Sequence, residues 1–92
     1  MKIIHIKDLN DNSKRIDRTT PFGNPFTIGV DGDREEVIQK FEDYLLTNQK
    51  LCDKVYEELK GYDLACWCSP KRCHGEVIIK YINSRDLFGR WF

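Results

Sequence analysis

Three of the chain's four cysteines and one of its two histidines fall in the run Cys66-Trp67-Cys68-Ser69-Pro70-Lys71-Arg72-Cys73-His74-Gly75. Thiols, an imidazole and two cations packed so closely suit three chemistries: a metal centre, a reactive thiolate or an anion site. The metal set would be Cys66, Cys68, Cys73 and His74. Cys66 and Cys68 are two apart, so on a strand they share a face and Trp67 takes the other. Such a Cys-x-Cys pair does not grip a tetrahedral ion as a Cys-x-x-Cys knuckle does. No metal and no cofactor is therefore expected, and Cys66 and Cys68 read as small buried apolar groups.

Cys73 has a sharper chemistry. At a helix start beside Lys71 and Arg72 its thiol pKa should fall. His74 would then serve as a base or as a donor to a ligand. Adjacent residues do not face one another on a helix, which argues against a nucleophile pair made by these two alone. An anion asks for less: the free amides at the helix start, Lys71, Arg72 and a protonatable His74 would attract a phosphate or carboxylate. Plain helix capping with solvated basic side chains is the competing account.

A second constellation is Arg18-Thr19-Thr20-Pro21-Phe22-Gly23-Asn24-Pro25-Phe26. Gly23 permits close backbone approach, and Asn24 carries the donor and acceptor that read a base or amide edge. Pro25 stiffens the loop, and Phe26 stacks on a ring or anchors the loop in the core. A tight packed turn without a ligand is the alternative. Arg34 either supports this loop electrostatically or simply flanks a helix.

The elements that must position these groups are legible in outline. Lys2 to Ile6 alternates Ile with polar residues, as a strand does, and Arg15 to Arg18 suits a second short strand. Asp8 to Ser13 is polar and turn-rich. Thr19 to Gly32 holds Pro21, Gly23, Pro25, Gly29 and Gly32, which excludes a regular helix, yet Phe22, Phe26 and Ile28 tie it to the body. Asp33 reads as an N-cap, with Glu35 and Glu36 at the positive end of a helix carrying Val37, Ile38, Phe41, Tyr44 and Leu45. Asn48 breaks it. Leu51, Cys52, Val55 and Leu59 repeat the spacing up to Lys60-Gly61, a C-terminal stop. Leu64 to Cys68 has strand length, and Val77, Ile78, Tyr81 and Ile82 mark a last helix starting near Cys73 or His74. The order predicts one small α/β domain over residues 1–92, with a short, partly parallel sheet flanked by about three helices.

Composition bounds the partners. The chain has 92 residues, with 15 basic and 15 acidic side chains that cancel. A general nucleic-acid binder carries a basic excess, so nucleic acid is disfavoured. No apolar run reaches the ~20 residues of a membrane span, and Met1 to Ile6 is too short for a signal peptide. A cytoplasmic protein is expected, with its cysteines as thiols or ligands. Trp91 and Phe92 either cover the domain's own core or offer an apolar contact to a second copy.

Taken together, the chain resembles the family of small phage and bacterial proteins called domain of unknown function 4326. The residues that carry the resemblance are Arg18, Gly23 to Phe26, Arg34 to Glu36, Cys66 to Cys68, Pro70 and Cys73 to Gly75. Phe22 stands where Trp is expected, so a bulky aromatic is kept. The resemblance implies a phage or prophage setting and supplies no settled activity.

Three functions are weighed on this basis. The favoured one is a binding protein for a nucleotide or nucleotide-derived small molecule, held between the two constellations at the carboxyl end of the sheet. In a phage such a protein would sequester a host immune signal. The second is a nucleotide-processing enzyme with Cys73 as nucleophile or His74 as acid–base, Asp17 and Asp31 being the available acids. The third is a zinc-stabilised interaction module.

Overall fold

The computed structural model describes residues 1–68 and 71–88. Ser69, Pro70, Trp91 and Phe92, and the roles considered for them, lie outside the described residues.

Asp33 starts the first helix with a reciprocal cap. Its carboxylate accepts the Glu36 N–H at 2.9 Å, and the Glu36 carboxylate accepts the Asp33 N–H at 3.1 Å. The helix, α1, runs Arg34–Leu46 and buries Val37, Ile38, Phe41 and Leu45. Asn48 ends that run and caps the next: its side chain accepts the Leu51 N–H, and α2 spans Gln49–Leu59. Gly61, at φ 87°, turns the chain out of α2 in a region other residues resist. The last helix, α3, spans Gly75–Phe88.

Three strands complete the α/β domain: β1 Ile3–His5, β2 Ser13–Arg15 and β3 Asp63–Cys66. Their order is β1-β3-β2, and both pairings are parallel, with Ile4 and Arg15 both opposite Ala65. Among the described residues the sheet is thus wholly parallel. Parallel neighbours ordinarily need a crossover of a dozen residues or more. Here β1 and β2 flank β3, and strands of three residues rise only about 10 Å. The short turn Ile6–Asp8 and the residues after it therefore suffice to bring the chain back. Leu64, Ala65 and Cys66 of the central strand are all buried, which explains a continuous apolar run in place of alternation.

Several bounds differ from the sequence expectation. The first strand stops at His5, because the His5 side chain accepts the Lys7 N–H and caps a 3-10 turn. β2 begins and ends earlier than Arg15 to Arg18. Its ladder extends only to the Ile16 N–H on the Ala65 carbonyl, and the Thr20 N–H then closes a turn on Asp17. β3 ends at Cys66, so Trp67 and Cys68 sit in a turn and do not share the strand's pleat. Helix α3 starts at Gly75, after Cys73 and His74, which act as its lead-in.

The core joins helices and sheet: Phe41, Leu45, Val55, Leu59, Ile78 and Ile82 meet Ile16 and Leu64. Among the described residues no helix is long and apolar enough to cross a membrane.

Two glycines set how closely the parts approach. A Cβ at Gly75 would lie 2.9 Å from Ile16 Cδ1 and 3.1 Å from Ile3 Cδ1, so α3 enters directly against the sheet. A Cβ at Gly23 would lie 2.6 Å from the Arg18 Cα and 2.8 Å from the Asp17 carbonyl oxygen. Backbone cannot swing aside as a side-chain tip can. Gly23→Ala should therefore destabilise the protein by about 2 kcal/mol or more, beyond the middle of the usual overpacking range. Urea unfolding checks this; an unchanged midpoint would show that the loop is not closed on itself.

Candidate functional site

All three strands point the same way, so their carboxyl ends emerge on one edge, where open α/β sheets bind ligands. A cleft of about 410 Å³ lies there. Arg18, Asn24 and Phe26 line it from the first constellation, and Trp67, Arg72, Cys73 and His74 from the second. Arg34, Val37 and Ile38 contribute from α1, and Cys66 and Cys68 from the end of β3 and the turn after it. Phe22, Gly23, Pro25 and Gly75 do not line it. Phe22 is buried in the core, Gly23 closes the loop on Arg18, Pro25 is exposed, and Gly75 faces Ile16 and Ile3.

Asp17 organises the sheet edge. Its carboxylate accepts Arg15 Nη2 at 2.6 Å, Thr19 Oγ1 at 2.5 Å and Trp67 Nε1 at 2.9 Å. The Arg15 hydrogen bond, with those of Thr19 and Trp67, holds its carboxyl at about 2, below an ordinary 3.8. The Trp67 ring is also edge-on to His5, with centroids 5.7 Å apart. The indole is thus gripped at its nitrogen and its edge while 62 % of the residue stays exposed.

Arg18 locks the loop. Its guanidinium donates to the carbonyls of Asn24 and Phe26 and to Thr27 Oγ1. Asn24 completes the lock: its Oδ1 accepts the Phe26 N–H and its Nδ2 donates to the Val37 carbonyl, each at 3.0 Å. Asn24, expected to read a ligand's edge, thus commits one Nδ2–H and one Oδ1 lone pair to building the loop, while it stands on the cleft.

At the start of α3, where an anion site was expected, several of the groups are engaged internally. The Gly75 N–H goes to Cys73 Sγ, and the Glu76 and Val77 N–H groups go to the Cys73 and His74 carbonyls. Arg72 pairs with Glu35 and Glu76. His74 is 6 % exposed, and its Nε2 lies 2.9 Å from the carbonyl oxygens of both Ile16 and Phe22. Burial pushes the imidazole's pKa down, toward the neutral form. The Gly75, Glu76 and Val77 amides, the Arg72 guanidinium and the imidazole Nε2 thus have internal partners, which reduces what is left there for a phosphate.

The thiols are placed differently from the strand-face expectation. Cys66 Sγ, Cys73 Sγ and a ring nitrogen of His74 lie within 4.8 Å of one another, all buried. A hydrogen bond from the Cys66 thiol favours the thiolate at Cys73, whose pKa is lowered, while that of Cys66 is raised. Cys68 stands outside this trio, its pKa raised chiefly by burial.

Asp17 was visible in the sequence only as a candidate acid. The spacing Arg15-x-Asp17 is its signal, since residues two apart on extended chain share a side. Thr19, Thr27 and Ile28, also on the cleft, carry no such mark.

A small α/β domain with a parallel sheet and a cleft at its carboxyl edge is the class that fold and site define. The chain belongs to the family described as Domain of unknown function (DUF4326), which matches residues 4–84. It is similar to an uncharacterized 12.4 kDa protein of the nrdA-td intergenic region of Enterobacteria phage T4. The two are 35% identical over 81 residues, 84% of this chain and 73% of the phage protein. The chain is thus phage-related. No solved structure matches it.

Asp17 makes a prediction about pH. Its folded pKa is depressed, so the stabilisation is fully present above 3.8 and is lost as pH falls toward about 2. Asp17→Asn should destabilise the protein by about 2 kcal/mol at neutral pH, the scale of a charged hydrogen bond. It should also flatten the acid limb of stability. Urea unfolding at several acidic pH values tests both, and an unaltered limb would remove Asp17 from the account.

Proposed function

We propose that the protein binds a nucleotide or nucleotide-derived small molecule in the cleft at the carboxyl edge of the sheet. The observation that carries this is Trp67: a largely exposed indole, held at Nε1 by Asp17 and edge-on by His5, on the wall of the cleft. An aromatic face fixed in advance stacks on a planar base without a further ordering cost. Phe26 stands on the same cleft.

The charge distribution supports an acidic ligand, at a place other than the start of α3. Arg18 and Arg34 line the cleft, and among the described residues neither pairs with a carboxylate. Arg34 Nη1 donates to the Arg72 carbonyl, which orients the group without neutralising it. Such cations suit a phosphate beside a stacked ring. The volume of about 410 Å³ falls within the usual range for small-molecule sites.

Binding is favoured over catalysis because the candidate nucleophile and base are enclosed. Cys73 is 3% exposed, and the Nε2 of His74 is committed to two carbonyls. In a phage-infected cytoplasm, a protein of this kind would hold a nucleotide signal away from its receptor.

Calorimetric titration of a panel of mono-, cyclic and oligonucleotides is the test, with chromatography of the incubated ligands to detect turnover. Trp67→Ala should weaken binding of the preferred ligand about tenfold or more, from a stacking contribution of about 1–3 kcal/mol. Arg34→Ala should weaken it comparably and reduce its salt dependence, whereas Arg72→Ala should leave affinity nearly unchanged. If no nucleotide binds, or if Trp67→Ala binds as the parent does, this function is wrong. New products would replace binding by catalysis.

A further inference from the structure

We propose that Cys66, Cys73 and His74 form a site for a thiophilic divalent transition metal, zinc foremost, with a fourth coordination position opening on the cleft. The proposal stands whether or not a nucleotide binds.

Geometry comes first. Cys66 Sγ, Cys73 Sγ and a ring nitrogen of His74 lie within 4.8 Å of one another. Zinc at about 2.3 Å from sulfur and about 2.0–2.1 Å from nitrogen places tetrahedral ligand atoms roughly 3.5–3.8 Å apart. Closing on an ion then asks for a contraction of about 1.3 Å at most, within reach of small side-chain rotations at the end of β3 and before α3.

The imidazole is prepared for this role. Carbonyl oxygens only accept, so the Nε2 that meets both Ile16 and Phe22 oxygens carries the ring proton. The lone pair of the neutral ring is then on Nδ1. A metal-bound histidine has this arrangement, with the outer nitrogen donating to a backbone carbonyl. The sulfurs are prepared as well. The Cys68 N–H points to Cys66 Sγ and the Gly75 N–H to Cys73 Sγ, each at 3.4 Å. Such donors stabilise negative sulfur.

Charge decides which kind of ion fits. Two thiolates and a neutral imidazole cancel a divalent cation, and burial demands that cancellation. Sulfur with imidazole selects zinc and its neighbours over magnesium or calcium. All three ligands also line the cleft, so the fourth position is left to a water or to a donor atom of a bound molecule. A three-ligand set with one open position is the arrangement of catalytic, not structural, zinc.

The test uses the full chain, prepared under reductant, loaded with zinc or cobalt alone and freed of excess metal. One ion per chain is expected, by elemental analysis. Cobalt should give a thiolate charge-transfer band and the visible bands of a tetrahedral centre. Cys66→Ser and Cys73→Ser should lose the ion, whereas Cys52→Ser and Cys68→Ala should keep it. Should the two serine variants not fold, the parent still decides: bound zinc should shield the Cys66 and Cys73 thiols from a thiol reagent, and a chelator should expose them. No retained metal, a cobalt spectrum without the thiolate band, or thiols equally reactive with and without zinc would overturn the site. Loss of the ion from Cys68→Ala would overturn the open fourth position.

Discussion

One buried imidazole joins most of what matters here. His74 sits at the entrance of α3, places Nε2 between the carbonyls of Ile16 and Phe22, and sets its ring against Phe41 at 4.8 Å. It thereby connects the exit of β2, the glycine-rich loop, α1 and α3 through a single group. Two carbonyl acceptors of buried residues thereby gain a donor, and such groups are costly when left alone. The ring is fixed in one neutral tautomer as a consequence. A residue at the edge of the cleft thus serves as architecture, and its remaining nitrogen is oriented by that architecture.

The same division between building and binding runs through the charged groups. Arg18 spends hydrogen bonds on the Asn24 and Phe26 carbonyls, and Asn24 spends its amide on Phe26 and Val37. These bonds hold a loop that has no regular structure of its own, so they substitute for a ladder. Arg72 is satisfied by Glu35 and Glu76 on the surface. Arg34, like Arg18, has no carboxylate partner among the described residues: its Nη1 donates to the Arg72 carbonyl, and its charge remains uncompensated. On an apolar cleft with a rigid indole, that uncancelled charge is the feature that gives a ligand polarity and direction.

A very short parallel sheet makes this possible. With β1 and β2 both running alongside β3, the ends of all three strands release His5, the Ile16–Asp17 segment and Trp67 at one edge. Asp17 then gathers Arg15, Thr19 and Trp67 on one carboxylate. An antiparallel arrangement would have sent one of these segments to the opposite edge.

Much of the scaffold was legible in the residues. Asp33 with Glu36, the spacing of Val37, Ile38, Phe41 and Leu45, the break at Asn48 and the stop at Lys60-Gly61 all express local rules, and local rules are written in neighbouring side chains. The family, too, was legible from ordered motifs spread along the chain. Strand ends were less so, because whether Trp67 and Cys68 continue a strand depends on whether β1 and β2 extend beside them. What only the tertiary structure decided is how each conspicuous residue is employed. Asn24, Arg72 and His74 have the right types for recognition, but folding gives them partners distant in sequence: Val37, Glu35, Ile16. Spacing along the chain also made Cys66 and Cys68 look like the pair. Folding instead sets Cys66 beside Cys73 and His74, since the chain reverses between β3 and α3 and Cys68 leaves the pleat. Sequence determines which groups are available and which helices they ride on; only the closed fold determines which of their donors, acceptors and charges are still unspent.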